Sequence, residues 1–258
     1  MGKTLLDKAV SRLPGLAESL EAHKIGLPDM TEICIFGYGS LPGNPHWPPS
    51  SMMAAFLRGW RRRFCCACSG RGTAEFPGLT LGLEEEEENG IVPGAVLRYG
   101  GMTTEGMAQM LHVFADREVP DIPIYRFGFA RIETARGETL PAIVCIADCQ
   151  SPHYRTGLSL TEKSQIIAMA CGEWGTCKDY LDRYIRSHIR PQTDFSDTPP
   201  ARRTALQRDR DYFTALLHEV DQRRAEMRLT MPDYLAALEM REQKTQHLQT
   251  GDKQAALV

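Results

Sequence analysis

One stretch limits what this chain can fold into more than any other: Ile33-Cys34-Ile35-Phe36-Gly37-Tyr38-Gly39-Ser40-Leu41. Cys34, Ile35 and Phe36 form a short apolar run suited to a buried strand. Two glycines one residue apart then let the backbone turn and be approached closely. Pro42, Gly43, Asn44 and Pro45 follow at once, so the segment from Pro42 to Pro49 reads as a loop. A strand ending in such a turn presents backbone amides, with the Ser40 hydroxyl, to an anionic group.

Three generic glycine-loop readings compete for this turn, and each fails on spacing. A dinucleotide fingerprint needs a glycine three residues after Gly39, where Pro42 stands. The proline-rich continuation also provides no helix N-terminus for a pyrophosphate. A Walker loop would end in Gly-Lys-Ser/Thr, which does not follow this turn. A nucleophile elbow needs a second glycine two residues after the serine and a helix to follow, and neither is present.

Before the turn, Leu5, Leu6, Ala9, Val10, Leu13, Leu16, Ala17 and Leu20 repeat at helical spacing, with Pro14 marking a kink or a division into two short helices. This arm, residues 1–30, is expected to pack on the surface of the domain that follows. After the turn, Arg58-Gly59-Trp60-Arg61-Arg62-Arg63-Phe64 alternates as a strand with one wet face, a better reading than a phosphate-binding patch because the run is short and its flanks are not basic. Leu79 to Leu83 and Ile91 to Tyr99 read as strands that pair as a hairpin, and the acidic run Glu84 to Glu88 with Asn89-Gly90 reads as its solvated tip.

Met107, Met110, Leu111 and Phe114 form the core-facing stripe of a helix capped by Thr103 or Thr104 and ending near Ala115. Tyr125 to Thr134 and Leu140 to Ala147 read as strands joined at Gly137. A helix begins at Leu160 or Thr161, and another covers Asp179 to His188. Thr193 to Pro200 is a polar connector. Residues 201 to 228 carry one helical seam through Leu206, Phe213, Leu216, Leu217 and Val220. Pro232 suits the first turn of a last helix anchored by Tyr234, Leu235, Leu238 and Met240, with a frayed tail after Gln246.

The chain has 258 residues, enough for one sizeable core with appended helices. No apolar run approaches the roughly 20 residues that span a bilayer, no signal peptide opens the chain, and position 6 is Leu where a myristoylation pattern after Gly2 wants Ser or Thr. The expectation is a cytoplasmic protein with neither a nucleic-acid nor a membrane partner. Cys65, Cys66 and Cys68 cluster, and five further cysteines are scattered. Without a second ligand cluster they read as reduced, small buried hydrophobes rather than as a metal site.

Phe36-Gly37-Tyr38-Gly39-Ser40-Leu41 resembles the signature of the γ-glutamylcyclotransferases, closest to their ChaC-like, glutathione-degrading branch. Four later stretches resemble that branch in the same order. They are Arg58 to Phe64, then Arg71-Gly72 with Pro77-Gly78, then Arg117-Glu118 after a helix, and Ser151-Pro152-His153-Tyr154 before a helix from Leu160 to Ile167. The last helix is similar to the family's closing helix. Departures stand beside these matches. Pro42-Gly43 replaces an aliphatic-Trp pair, and Val119 to Tyr125 replaces a Lys-Gly-Gly-containing loop. The cysteine cluster falls where the branch has Trp and polar residues, and the helix at 201–228 looks like an insertion.

The resemblance implies an α+β fold: a γ-glutamylcyclotransferase-like mixed β-barrel or sheet flanked by helices, with the N-terminal arm and extra C-terminal helices. The catalytic domain would span residues 31–190, with 191–258 a linker and helices packing on the same domain. The implied reaction forms 5-oxoproline from a γ-glutamyl group, releasing Cys-Gly when the substrate is glutathione, and needs no cofactor or metal. Glu118 would be the general acid/base. Tyr38, Gly39, Ser40 and Leu41 would hold substrate, with Arg71, Tyr125 and Tyr154 as further binding residues. Two alternatives stay open at this stage: a cyclotransferase for other γ-glutamyl amines, and a partner-binding effector that uses the added helices.

Overall fold

The computed structural model describes residues 4–27, 30, 32–86, 90–119, 124–189 and 199–255. Within these the chain divides into two compact units. The first comprises Met1–Arg63, Gly82–Tyr154 and Ser196–Gln207; the second comprises Phe64–Leu81, Arg155–Phe195 and Arg208–Val258.

The first unit is built on a closed five-stranded barrel. Its strands are β1 (Glu32–Gly37), β2 (Ser51–Arg58), β5 (Ile91–Gly100), β6 (Tyr125–Thr134) and β7 (Thr139–Ala147), in the order β1-β5-β2-β6-β7. β1 lies antiparallel to β5 and closes the barrel by parallel pairing with β7, where Ile35 faces Ile143 and Phe36 faces Val144. Closure leaves no unpaired edge there, and it brings the end of β1 beside the end of β7. Ile33, Ile35, Leu57, Val96, Leu97, Phe127, Ile132, Ile143 and Val144 are buried and fill the core.

The N-terminal arm forms two short helices, α1 (Leu5–Val10) and α2 (Leu16–Ala22), separated around Pro14 as expected. Leu6, Ala9, Leu13 and Leu16 are buried. Arg12 pairs with Asp116 at 2.5 Å, on α3 (Thr104–Glu118). Part of β6 is covered by the arm: the Phe127 amide donates to the Pro14 carbonyl, and the Phe129 amide to Ser19 Oγ. α3 is capped by Thr103 and buries Met107, Met110, Leu111 and Phe114, the expected stripe. It continues past Ala115 to Glu118, because the intrahelical ladder still closes there: the Val119 amide reaches the Ala115 carbonyl.

The expected pairing of 79–83 with 91–99 does not form. β4 (Gly78–Glu85) pairs with β3 (Trp60–Cys68), while β5 pairs with β1 and β2. The neck of the β3–β4 excursion is closed by Gly59 N–H to the Gly90 carbonyl and Glu86 N–H to the Gly59 carbonyl, so β5 returns alongside β2 with Arg58 opposite Ile91. The acidic run is not wholly a solvated tip. Glu84 and Glu85 belong to β4, and the Glu84 side chain is only 13% exposed, held by Arg61 at 3.2 Å and by the Tyr154 hydroxyl at 3.0 Å. Those partners allow a carboxylate inside a strand. Residues 87–89 of that run and its turn lie outside the described residues.

The second unit is mostly helical. It contains α4 (Leu160–Met169), the small hairpin of β8 (Cys171–Gly172) and β9 (Gly175–Thr176), α5 (Cys177–Tyr184) and a π-turn at Ile185–Ile189. It also holds most of α6 (Pro200–Thr230) and all of α7 (Pro232–Ala255). Ser159 and Glu162 form a capping box that starts α4. Phe213 on α6 packs edge-on against Phe64 and lies 4.8 Å from Tyr184, and Leu216 and Val220 continue the buried seam. α7 is anchored by Leu235 and Leu238, which cluster with Cys171. Met240 is 62% exposed and anchors nothing, and the helix continues beyond Gln246 to Ala255 instead of fraying. The connector expected at 193–200 lies outside the described residues up to residue 198.

All eight cysteines are free, and seven are buried. Cys149 is the exception to the expectation that they act as buried hydrophobes, because it sits in the exposed turn after β7. Burial pushes the Cys34 and Cys177 thiols up to about 12, leaving little thiolate near neutral pH. A thiol-reactive dye is therefore expected to label one cysteine per native chain quickly and all eight after unfolding. A second fast-reacting thiol in the native protein would contradict this burial pattern.

Candidate active site

The glycine turn lies at the open end of β1. Gly37 closes the strand, Tyr38 to Ser40 bend, and Leu41–Gly43 form a single 3₁₀ turn where the sequence reads as loop. The reason is Pro42 at the start of that turn, with the Gly43 and Asn44 amides closing back onto the Ser40 carbonyl. Among the described residues, the amides of Gly39, Ser40 and Leu41 donate to no protein acceptor. Three consecutive donors without a protein acceptor at a strand end are the kind of backbone arrangement that can bind an anion.

Close packing leaves no room for side chains at two glycines beneath the turn. A Cβ at Gly37 would lie 2.8 Å from the Pro42 ring, and one at Gly94 on β5 would lie 2.4 Å from the Gly37 carbonyl oxygen and 2.6 Å from the Phe36 ring. Gly94→Ala must displace backbone, since no flexible side-chain end can give way. It is expected to cost about 1–3 kcal/mol by overpacking, measured as a lower thermal midpoint, and to reduce activity through the distorted turn. An alanine variant with unchanged midpoint would show that the turn relaxes freely.

The second component is the end of α3. Glu118 is the helix's last residue, where the macrodipole opposes a negative charge and a nearby cation offsets it. Arg117 is that cation: its Nε donates to Glu118 Oε1 at 2.6 Å. The same guanidinium donates through Nη2 to Ser40 Oγ at 2.8 Å and through Nη1 to the Asn44 carbonyl. The two side chains are 10% and 19% exposed, so the pair is held in a largely desolvated corner. One arginine thus joins the carboxylate to both ends of the turn.

A third component comes from β7. The Cys145 thiol is pushed well up by burial and then by the charge of Glu118, while a hydrogen bond from the Tyr38 hydroxyl acts the other way. The pairing of Phe36 with Val144 sets Tyr38, just past the end of β1, beside Cys145 of β7, and the Glu118 charge is felt at that thiol. Tyr99 on β5 is also raised, to about 12, by burial, with the Arg117 charge opposing.

Of the residues expected to form the site, Glu118, Tyr38 and Ser40 are brought together, with Gly39 and Leu41 in the same turn. Tyr154 is half-buried, and its hydroxyl is engaged by Glu84. Tyr125 begins β6 opposite Ala147 and is also half-buried. Arg71 belongs to the second unit, where it donates to the Trp174 carbonyl and lies 5.1 Å from the Tyr180 ring centre. Burial, with Arg183 nearby, lowers its pKa from the ordinary arginine value. The loop that departs from the family pattern after Glu118 lies outside the described residues from 120 to 123.

Cys145, Asn44 and the bracing role of Arg117 were not legible in the sequence. Arg62 left a trace. It shares the strand phase of Trp60 and Phe64, an apolar register in which a charge is out of place.

Comparison with known proteins bears on the family and the fold. The family described as ChaC-like protein matches residues 33–198. A curated Escherichia coli (strain K12) protein, named a glutathione-specific gamma-glutamylcyclotransferase, is 33% identical over 180 residues, covering 69% of this chain and 73% of its own length. Two crystal structures of a yeast γ-glutamyl cyclotransferase specific to glutathione share the fold. One has a TM-score of 0.61 at 17% identity, covering 75% of this chain and 97% of the yeast chain. The other has 0.59 at 18%, covering 75% and 99%. The fold is thus the mixed α+β cyclotransferase architecture, and the chain belongs to the ChaC-like family.

Proposed function

We propose that this protein is a γ-glutamylcyclotransferase that cleaves glutathione to 5-oxoproline and Cys-Gly, with Glu118 as its general acid/base. The observation that carries the reading is the Arg117 bridge, which ties the Glu118 carboxylate to Ser40 of the glycine turn. Membership of the ChaC-like family and the name of the Escherichia coli relative support the choice of substrate.

The chemistry suits these groups. The substrate's α-amine attacks its own γ-carbonyl carbon, so the nucleophile is tethered, and holding the cyclic conformer supplies part of the roughly 7–11 kcal/mol available from orientation. At neutral pH the amine is mostly ammonium and cannot attack. Glu118 takes one proton from the ammonium, and the freed amine closes the five-membered ring. As the bond to the cysteine nitrogen breaks, Glu118 returns that proton to it, and the second proton shed by the ring nitrogen passes to the released amine, which leaves as ammonium. The amides of Gly39, Ser40 and Leu41 hold the α-carboxylate and so fix the amine's position. Tyr125, Tyr154 and Arg71 are assigned to further substrate binding. As written, the reaction uses no cofactor.

In this reading residues 31–190 form the catalytic domain, with the arm (1–30) and the C-terminal helices (191–258) accessory to it. Among the described residues no helix is long and apolar enough to cross a membrane, and a cytoplasmic location fits a glutathione substrate. The test is direct: incubate the purified protein with glutathione and a set of γ-glutamyl dipeptides and assay 5-oxoproline. Release from glutathione in preference to the dipeptides supports the reading. Release only from the others moves the substrate assignment, and activity only with cell extract points to a required partner.

A further inference from the structure

Arg62 is the largest of the fully buried side chains, with 1% of its surface exposed, and the reaction above does not use it. Its guanidinium faces two backbone carbonyls, Tyr38 at 3.4 Å and Pro93 at 3.3 Å. Both distances are at the long end for a hydrogen bond, and attraction between the buried charge and the carbonyl dipoles adds to them. Pro93 precedes Gly94, whose backbone lies against Gly37. Arg62 therefore contacts the glycine turn at the Tyr38 carbonyl and the β5 backbone packed against it at the Pro93 carbonyl.

The consequence follows from peptide geometry. In a trans peptide the C=O of one residue and the N–H of the next point in opposite directions. The carbonyl of Tyr38 and the amide of Gly39 belong to one such plane. With the carbonyl drawn toward Arg62, the Gly39 amide must point away from the buried guanidinium. Glycine resists rotation of that plane weakly, so without an anchor the plane can flip and present a carbonyl, which repels an anion, where the amide belongs.

We propose that Arg62 is a positioning residue that locks the Tyr38–Gly39 peptide with its amide toward the α-carboxylate of the γ-glutamyl substrate. This role rests on the cyclotransferase reading. Arg62 touches no substrate; it acts through the turn, and its buried positive charge adds to the attraction for the anion. The effect falls on recognition of the carboxylate rather than on proton transfer.

The test compares the wild type with Arg62→Met and Arg62→Lys on two substrates: glutathione, and its analogue with the α-carboxylate converted to a carboxamide. For Arg62→Met, KM for glutathione is expected to rise about ten-fold with kcat changed less than about three-fold. Preference for carboxylate over carboxamide, as a ratio of kcat/KM values, should fall by about ten-fold. Arg62→Lys keeps the charge but loses the fork, and should lower that ratio by about three-fold. A general folding defect would lower both substrates together and leave the ratio alone. A folded Met variant with the wild-type ratio overturns the proposal; if that variant does not fold, an unchanged ratio in the Lys variant overturns it. A wild-type protein that releases 5-oxoproline from no γ-glutamyl substrate sinks the cyclotransferase reading instead.

Discussion

Glu118→Gln is expected to lower kcat for 5-oxoproline release by about 100- to 10,000-fold while leaving glutathione binding within a few-fold. The amide side chain keeps the shape of the carboxylate but cannot accept the ammonium proton. The Arg117 Nε–H can still donate to its oxygen, so the turn need not move. Single-turnover measurements with glutathione, paired with equilibrium binding to the inactive variant, separate chemistry from affinity. Near-normal turnover would remove Glu118 from the mechanism. A loss confined to binding would make it a substrate ligand instead.

The second large effect belongs to Arg117. Its guanidinium makes three contacts, to Glu118, Ser40 and Asn44, from a side chain only 10% exposed. Arg117→Met leaves the carboxylate at the helix end without its cation and frees the turn from α3. A displacement of the acid/base by about an ångström costs on the order of 100-fold in rate, so kcat/KM should fall by about that factor. Arg117→Lys should recover only part, because an ammonium cannot form the same fork. A Lys variant equal to wild type would show that only the charge matters, and a Met variant of full activity would dissolve the bridge as a functional element.

Local pattern made much of this legible from residues alone. The β1 run into Gly37-Tyr38-Gly39-Ser40 announced the turn, the Met107-to-Phe114 stripe announced α3, and Pro14 announced a divided arm. Each signal is local: strand propensity, a helical period, a fixed backbone angle. The errors fell where pairing between distant segments decides. The run from 91 to 99 was read as partner to 79–83 because the two are adjacent in sequence, yet β5 bonds to β1 and β2 once the neck at Gly59 and Gly90 closes. Glu84 looked solvated for its five like-charged neighbours, but Arg61 and Tyr154 hold it in the strand.

At the site the same division holds. Residue type and order were sufficient for the turn and for the family whose signature they resemble, and they put forward Glu118 as the acid that the kinetics above test. Which groups stand together was decided by barrel closure. Parallel pairing of β1 with β7 brings Cys145 to Tyr38, and the end of α3 delivers Arg117 to Ser40 across 77 positions of sequence. Arg62 shows the limit most clearly. Its place in an apolar strand register was visible, but the carbonyls that face its charge come from Tyr38 and Pro93. A buried charge takes its partners from whatever segments the fold packs around it, and no local pattern carries that information.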